Sequence, residues 1–401
     1  MQDLNEIINY FEPIKLDLSD IKMLSGSNNR MTQIDLHTVA YQSNTNKVYD
    51  IAILGVNEER NSSNIGTALA PDIIREKLYS LFKPKSNIRI IDLGNIKLCE
   101  KISDSYSAVQ QITQFLIENK ILPIIIGGSQ DLTFPVYKAY KSTFANINFV
   151  SIDAKIDLSE ASEGIQDFDS SCYLNSILSD KSNFLFSFTH LAHQSYFVSQ
   201  NTLDYMSANL YETIRLGDLR EDIREAEPVL RDADFVSFDI CSIKQSYAPG
   251  NNSPSPNGLS GEEACQLAKY AGLSDRLSCF GLFEVNPSYD LQNQTSHLAA
   301  QIIWHFIDGF YSRKNDYPLA DLSEYKKFIV QLTELRQELV FYKSPLSDRW
   351  WIEIPCFISG KSDKLIISCS YADYQKACEQ EIPQIWLKSF QKIQKHGDVL
   401  E

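Results

Sequence analysis

Acidic side chains recur directly after apolar runs in this 401-residue chain. Gly127-Gly128-Ser129-Gln130-Asp131 follows one run, and Asp153-Ala154-Lys155-Ile156-Asp157 closes a second. Asp239-Ile240-Cys241 closes a third, and Glu284-Val285-Asn286-Pro287 a fourth. An isolated Asp at a strand end is usually a turn or a helix cap. Four such ends on one side of a single sheet fit that reading poorly. Clustered carboxylates repel one another unless a cation stands among them, so the pattern calls for a metal ion or a basic side chain.

The elements that must bring these residues together are readable between residues 50 and 285. Eight near-continuously apolar runs read as strands: Asp50–Val56, Ile88–Leu93, Leu122–Gly127, Ile147–Asp153, Phe184–Thr189, Thr213–Leu216, Asp234–Ile240 and Ser278–Val285. Strands that do not alternate are covered on both faces. Helical patterns such as Ala70–Leu81 and Ser105–Asn119 lie between them. Alternating strand and helix predicts a three-layer αβα domain around an eight-stranded, mainly parallel sheet, with ligands beyond the carboxyl ends of its strands. The Pro/Ser/Asn-rich stretch Ala248–Leu259 follows a strand end and reads as a loop that would rim or cover such a site.

Two flanks differ in pattern, dividing the chain into an N-terminal extension (1–45), the α/β domain (46–312) and a C-terminal α+β extension (313–401). The N-terminal flank offers a short acidic helix candidate at Asp3–Phe11. In the C-terminal flank a helical pattern over Leu322–Val340 precedes strand-like Arg349–Ile354 and Lys364–Cys369, and a helical segment follows near Tyr371–Ile393.

Composition narrows the function. With 37 Lys+Arg against 52 Asp+Glu the chain carries −15 at pH 7, which argues against a broad nucleic-acid footprint and against docking on anionic lipid. No run of about 20 apolar residues spans a bilayer. The acidic start MQDLNEIINYFEP does not read as a secretory signal. Eight scattered cysteines without a CxxC pair read as reduced, buried thiols, so a cytoplasmic location is expected.

The four acidic segments, in this order and spacing, resemble the ureohydrolase family of arginase, agmatinase and formiminoglutamase. Gly127–Asp131 looks like the formiminoglutamase-type GGGHD element, and Asp153–Asp157 like DAHxD. Ser237–Cys241 looks like the start of SxDxDxxDP, and Glu284–Pro287 like ExNP. Asn64–Arg75 is similar to the family's early glycine loop and following helix, and Leu298–Phe310 to its last core helix. The resemblance covers about residues 45–312 and implies an arginase-like fold.

It also implies two bridged Mn²⁺ ions on two histidines and four aspartates, and a metal-bound hydroxide attacking a guanidinium or formimino carbon. Carried over position by position, the first histidine is Gln130, the second is Lys155, and one aspartate is Cys241, while Asp153, Asp157 and Asp239 are kept. The later aspartate of the family's DP is replaced near Lys244-Gln245. Glu284, which the resemblance places at a substrate's cationic end, is kept, with Asn286 beside it. One site would retain Asp153, Asp157, Asp239 and the side-chain oxygen of Gln130. A charged ammonium has no lone pair for a metal. Lys155 is therefore expected to stand in for one metal ion as the counter-charge among the three aspartates. No metal cofactor is expected on this reading; the alternative is one Mn or Mg ion balancing the remaining negative charge.

The leading functional expectation is a catalytically inactive family member that works as a binding, structural or regulatory protein and holds a small cationic ligand against Glu284 and Asp239. The alternative is a formimidoylglutamase-type hydrolase of C–N bonds in linear amidines using one retained metal site. The family resemblance also implies a homo-oligomer. Other residues read more plainly. Cys241 beside Asp239 is a filler, since like charge raises a thiol's pKa. His190 and His193 read as a partly exposed helix start, with two imidazoles on one helical face as the rival reading. Trp350 and Trp351 read as the core of the C-terminal unit, although WW beside Arg349 and Asp348 is also the composition of a protein-docking surface.

Overall fold

The computed structural model describes residues 4–15, 31, 34–39, 47–85, 87–144, 146–159, 168–180, 182, 184–318, 322–333, 337–358 and 361–396. The eight apolar runs all form strands: β3 Ile51–Val56, β4 Ile90–Ile96, β5 Leu122–Ile126, β6 Ile147–Ile152, β7 Leu185–His193, β8 Glu212–Arg215, β9 Phe235–Asp239 and β10 Cys279–Phe283. Two short strands precede them, β1 Phe11–Glu12 and β2 Asp35–Leu36, so the sheet has ten strands where the sequence predicts eight. Two-residue strands have no periodicity to read, and only pairing with β4 defines these. The acidic helix candidate shortens to Asn5–Ile8 and leads into β1. The rest of the flank before residue 47 lies largely outside the described residues.

The strand order is β1-β4-β3-β5-β10-β9-β6-β7-β8, with β2 also on β4. All pairings in this sheet are parallel except β1 on β4. Alternate residues feed two apolar layers. Ile51, Ile53, Ile124 and Phe280 face the layer closed by helices Gly261–Gly272 and Gln294–Phe310. Ala52, Leu54, Ile125 and Phe149 face the layer closed by helix Ile102–Glu118. Burial on both faces is why these strands read as unbroken apolar runs. The helix after the glycine loop, Ala70–Ser80, is fixed by Arg75, whose Nε lies 2.9 Å from Asp92 on β4 with both side chains fully buried.

The C-terminal extension is an antiparallel sheet, β11 Lys326–Leu332, β12 Gln337–Lys343, β13 Trp350–Ile358 and β14 Lys361–Cys369, in that order, with helices Tyr371–Cys378 and Gln384–His396. The helix expected over Leu322–Val340 is therefore corrected to two strands, with residues 334–336 outside the described set. β-Branched and aromatic residues (Phe328, Ile329, Val330, Val340, Phe341, Tyr342) pack on a pleated surface, and pairing Phe341 opposite Ile352 overrides the helical spacing. The final helical segment divides at Ile382-Pro383, since Pro cannot continue a helix.

Trp350 and Trp351 are buried, at 8% and 0% exposure, which removes them from any docking surface. Trp350 stacks on Tyr374, and the Arg231 guanidinium lies 4.5 Å from the Trp351 ring centroid. Arg231 also donates from Nη2 to the Trp350 and Cys369 carbonyls, each at 3.0 Å. Asp232 accepts from Ser368 N at 2.8 Å, Lys388 pairs with Glu212 at 2.7 Å, and Lys392 donates to Ser187 Oγ at 2.7 Å. Ser187 and Glu212 lie near the starts of β7 and β8, so the extension covers the amino ends of these strands, opposite the acidic segments.

Burial pushes the Lys392 ammonium down to about 8 from its ordinary 10.5; Glu212 opposes this and Lys388 adds to it. Between these values the unfolded chain binds more protons than the folded one, so this lysine makes stability rise with pH from about 8 to 10.5. Lys392→Met should abolish that rise and stabilise the protein at pH 7 by up to about 3 kcal/mol. Urea unfolding of parent and variant across this range checks it; an unchanged pH slope in the variant would contradict the assignment.

Candidate metal and ligand site at the strand ends

Four neighbouring strands, β5, β10, β9 and β6, carry the acidic segments at their carboxyl ends. Gly128 lets the backbone after β5 cross Glu58 closely, since a Cβ there would lie 2.0 Å from the Glu58 carbonyl oxygen. The crossing directs Gln130 inward, fully buried. One carboxylate oxygen each of Asp153, Asp157 and Asp239 lie within 4.8 Å of one another. At that distance each ionised pair repels by about 3 kcal/mol at an effective dielectric of 20.

The Gln130 side chain answers this repulsion. In one orientation its Nε2 lies 3.4 Å from Ser237 Oγ and its oxygen faces the carboxylates. Turned over, its NH₂ donates to Asp157 Oδ2 at 3.1 Å and to Asp239 Oδ2 at 3.0 Å. Without a cation, only the second orientation satisfies the acidic oxygens. Asp239 Oδ1 further accepts from Cys241 N at 2.6 Å. Burial pushes the Asp153 carboxyl up to about 6. Burial, then Asp153, raises the Asp157 and Asp239 carboxyls. The Cys241 thiol is raised by burial and by Asp239, which keeps it protonated, as a filler requires.

Lys155 stands at the edge of the cluster. Its side chain is exposed, with Nζ 3.5 Å from Ser253 Oγ and 5.9 Å from the Phe197 ring centroid. Among the described residues no ion pair connects it to Asp153, Asp157 or Asp239. The side chain expected to stand in for a metal ion is carried toward water by its long apolar stem, and from the rim its charge opposes the burial that raises the Asp153 and Asp157 carboxyls.

Glu284 and Asn286 form a latch. Glu284, in the left-handed region at φ 66°, accepts from Gln130 N through Oε1 and from Asn64 Nδ2 through Oε2, both at 2.8 Å. Burial lifts its carboxyl to about 7, against these two hydrogen bonds. Asn286 Nδ2 donates to Asn64 Oδ1 at 2.7 Å and to the Ile65 carbonyl at 2.8 Å, while its Oδ1 accepts from Ser288 N at 2.9 Å. Its amide is therefore fully used in joining loops. Gly66, at φ 120°, makes room, because a Cβ there would lie 2.3 Å from Asn286 Oδ1. The Ala248–Leu259 loop closes onto the same point, with Asn252 N donating to Asn64 Oδ1 at 3.1 Å.

Sequence reasoning missed Asn64 as the hub of this latch, although the glycine loop that carries it was visible. It also missed Tyr106, which hydrogen-bonds the buried Asp131. His190 and His193 are corrected from a helix start to buried residues of β7. A bulge at Ala192, φ 73°, brings rings three residues apart to 6.1 Å between centroids. His190 Nε2 lies 3.2 Å from the Asp153 carbonyl and steadies that backbone.

The donor set is of the kind that takes one small cation. Asp153 Oδ1 is buried without a hydrogen-bond partner, and three carboxylates converge. It does not fit a binuclear centre. Among the described residues no other group of three or more His, Cys, Asp or Glu converges in this way, and Lys155 and Cys241 stand at two positions where the family resemblance implies further ligands.

A family model described as the arginase family matches residues 49–308. The formimidoylglutamase of Staphylococcus haemolyticus is 28% identical over 259 residues, covering 62% of this chain and 81% of that protein. That of Clostridium tetani is 25% identical over 267 residues, covering 62% and 78%. Among solved structures, formimidoylglutamase from Bacillus subtilis superposes with a TM-score of 0.61 at 23% identity, covering 68% of this chain and 90% of that one. Trypanosoma cruzi formiminoglutamase with Mn²⁺ gives 0.62 at 21%, covering 66% and 94%. The C-terminal extension lies beyond the family match.

Asp157→Asn removes one of the three clustered charges while keeping shape. It should stabilise the protein by about 1–3 kcal/mol at pH 8 in EDTA. Urea unfolding measures this. A loss of stability of the same size would mean that the cluster needs its full negative charge.

Proposed function

The chain belongs to the arginase family, and from that premise we propose that it is a member with a dismantled metal centre, serving as a binding or regulatory protein. The observation that carries this reading is the incomplete ligand cluster, in which only Asp153, Asp157 and Asp239 converge among the described residues. The exposed Lys155 and the thiol of Cys241 support it, because neither supplies a ligand for a second ion. A small organic cation, an ammonium or amidinium, would meet Asp153 and Asp239 first, since each Glu284 oxygen already accepts a hydrogen bond. On this reading residues 313–401 form a unit of their own beside the α/β domain.

A second reading rests on the partnerless Asp153 Oδ1. Asp153, Asp157, Asp239 and Gln130 Oε1 would then hold one Mn or Mg ion, which supplies Lewis-acid activation of water for hydrolysis of a linear amidine. Glu284 would bind the amidinium.

Elemental analysis of the chain after Mn²⁺ loading and desalting, with turnover of formiminoglutamate, arginine and agmatine, separates the two. Less than one ion per chain and no turnover are expected. Gln130→His, Lys155→His and Cys241→Asp together should raise retained Mn²⁺ toward two ions per chain. Stoichiometric metal in the parent, with turnover lost in Asp239→Asn, would establish the hydrolase instead.

A further inference from the structure

A cavity of about 510 Å³ opens at the junction between the α/β domain and the C-terminal extension, away from the acidic cluster. Such clefts between packed units are common ligand sites. Helix Ala226–Asp232 supplies Glu227 and Arg231 to its wall, and the strand β13 with its preceding turn supplies Arg349 and Trp350. Arg231 is 1% exposed, and its Nε and Nη1 find no hydrogen-bond partner among the described residues. Arg349, with a side chain 12% exposed, reaches Glu227 Oε1 at 3.1 Å, while Arg231 Nη2 lies 3.6 Å from Glu227 Oε2. Two guanidinium groups therefore share one carboxylate; the free Arg231 nitrogens are themselves enclosed, so Arg231 adds positive charge behind Arg349, which is the one open to the cavity.

The first turn of helix Tyr371–Cys378 lines the same cavity; a capping box between Ser370 and Asp373 takes the Asp373 N–H, which leaves the Tyr371 and Ala372 N–H groups without intrahelical acceptors. Of the other acids on the wall, Asp222 is paired with Arg224 at 2.6 Å and Asp348 with Lys343 at 2.7 Å. The Glu225 carboxyl is raised by burial. Tyr270 and Tyr371 border the opening with aromatic surface.

We propose that this junction cavity binds a small organic oxyanion, a carboxylate or phosphate on a compact and partly aromatic body, with Arg349 as its anchor and the Arg231 charge behind it. Guanidinium groups recognise both oxyanions by paired N–H bonds. The ligand would bridge the two units and stabilise their junction by mass action.

The test is thermal unfolding of the full chain titrated with sodium benzoate and, separately, with inorganic phosphate at constant ionic strength. A Tm that rises and saturates with either probe is expected, and the probe that acts at lower concentration identifies the preferred oxyanion. Arg349→Gln, on a partly exposed side chain, should weaken the apparent affinity at least tenfold. Arg215→Gln, on an exposed side chain outside the cavity, should leave it within twofold. Arg231 also anchors two main-chain carbonyls, so Arg349 is the better position to change. No saturable shift in the parent with either probe, or an equal shift in Arg349→Gln, would overturn the proposal.

Discussion

Three carboxylates within 4.8 Å of one another, at the ends of adjacent parallel strands, set the terms for the whole upper face of this molecule. Left ionised and unaccompanied they would push the strand ends apart. The Cys241 backbone N–H and protonation favoured by burial answer this, and the Gln130 amide joins them when its NH₂ is turned toward Asp157 and Asp239. A glutamine keeps nearly the reach of a metal-binding side chain but brings N–H groups with it. The site therefore has one side chain whose two faces suit opposite conditions, its oxygen a cation and its nitrogen the bare carboxylates.

The surrounding latch follows from the same geometry. Glu284 bonds the main chain of the Gln130 segment and the side chain of Asn64, and Asn64 in turn bonds Asn286 and the 248–259 loop. Three loops distant in sequence are held through one buried asparagine, which uses both its donors and its acceptor oxygen. The rigidity of this frame keeps the acidic groups converged even though half of the ligand types expected of the family are gone.

The C-terminal extension acts at the other end of the sheet. Its anchors, Arg231 on Trp351 and the main chain of β13 and β14, Asp232 on Ser368 and Lys392 on Ser187, cross a buried boundary. Charged groups are costly to bury unless fully paired, and Arg231 is not fully paired. The junction is thus a place where polar bonding capacity has been left open, far from the acidic cluster.

The sequence alone determined the α/β architecture, because strands buried on both faces must be apolar throughout. It also determined which acids cluster, because parallel crossovers place every strand's carboxyl end on one side. The ten-strand count, the β-hairpin in place of a helix at residues 326–343, and the burial of Trp350 and Trp351 needed pairing partners far along the chain. Lys155 illustrates the limit most clearly. Its position in the DAKID segment placed it at the cluster, but the direction of a four-carbon side chain is chosen by the difference between water and a crowded acidic interior. Only the tertiary structure supplies both sides of that comparison, and it carries the ammonium to the rim, from which its charge still opposes the burial that raises Asp153 and Asp157.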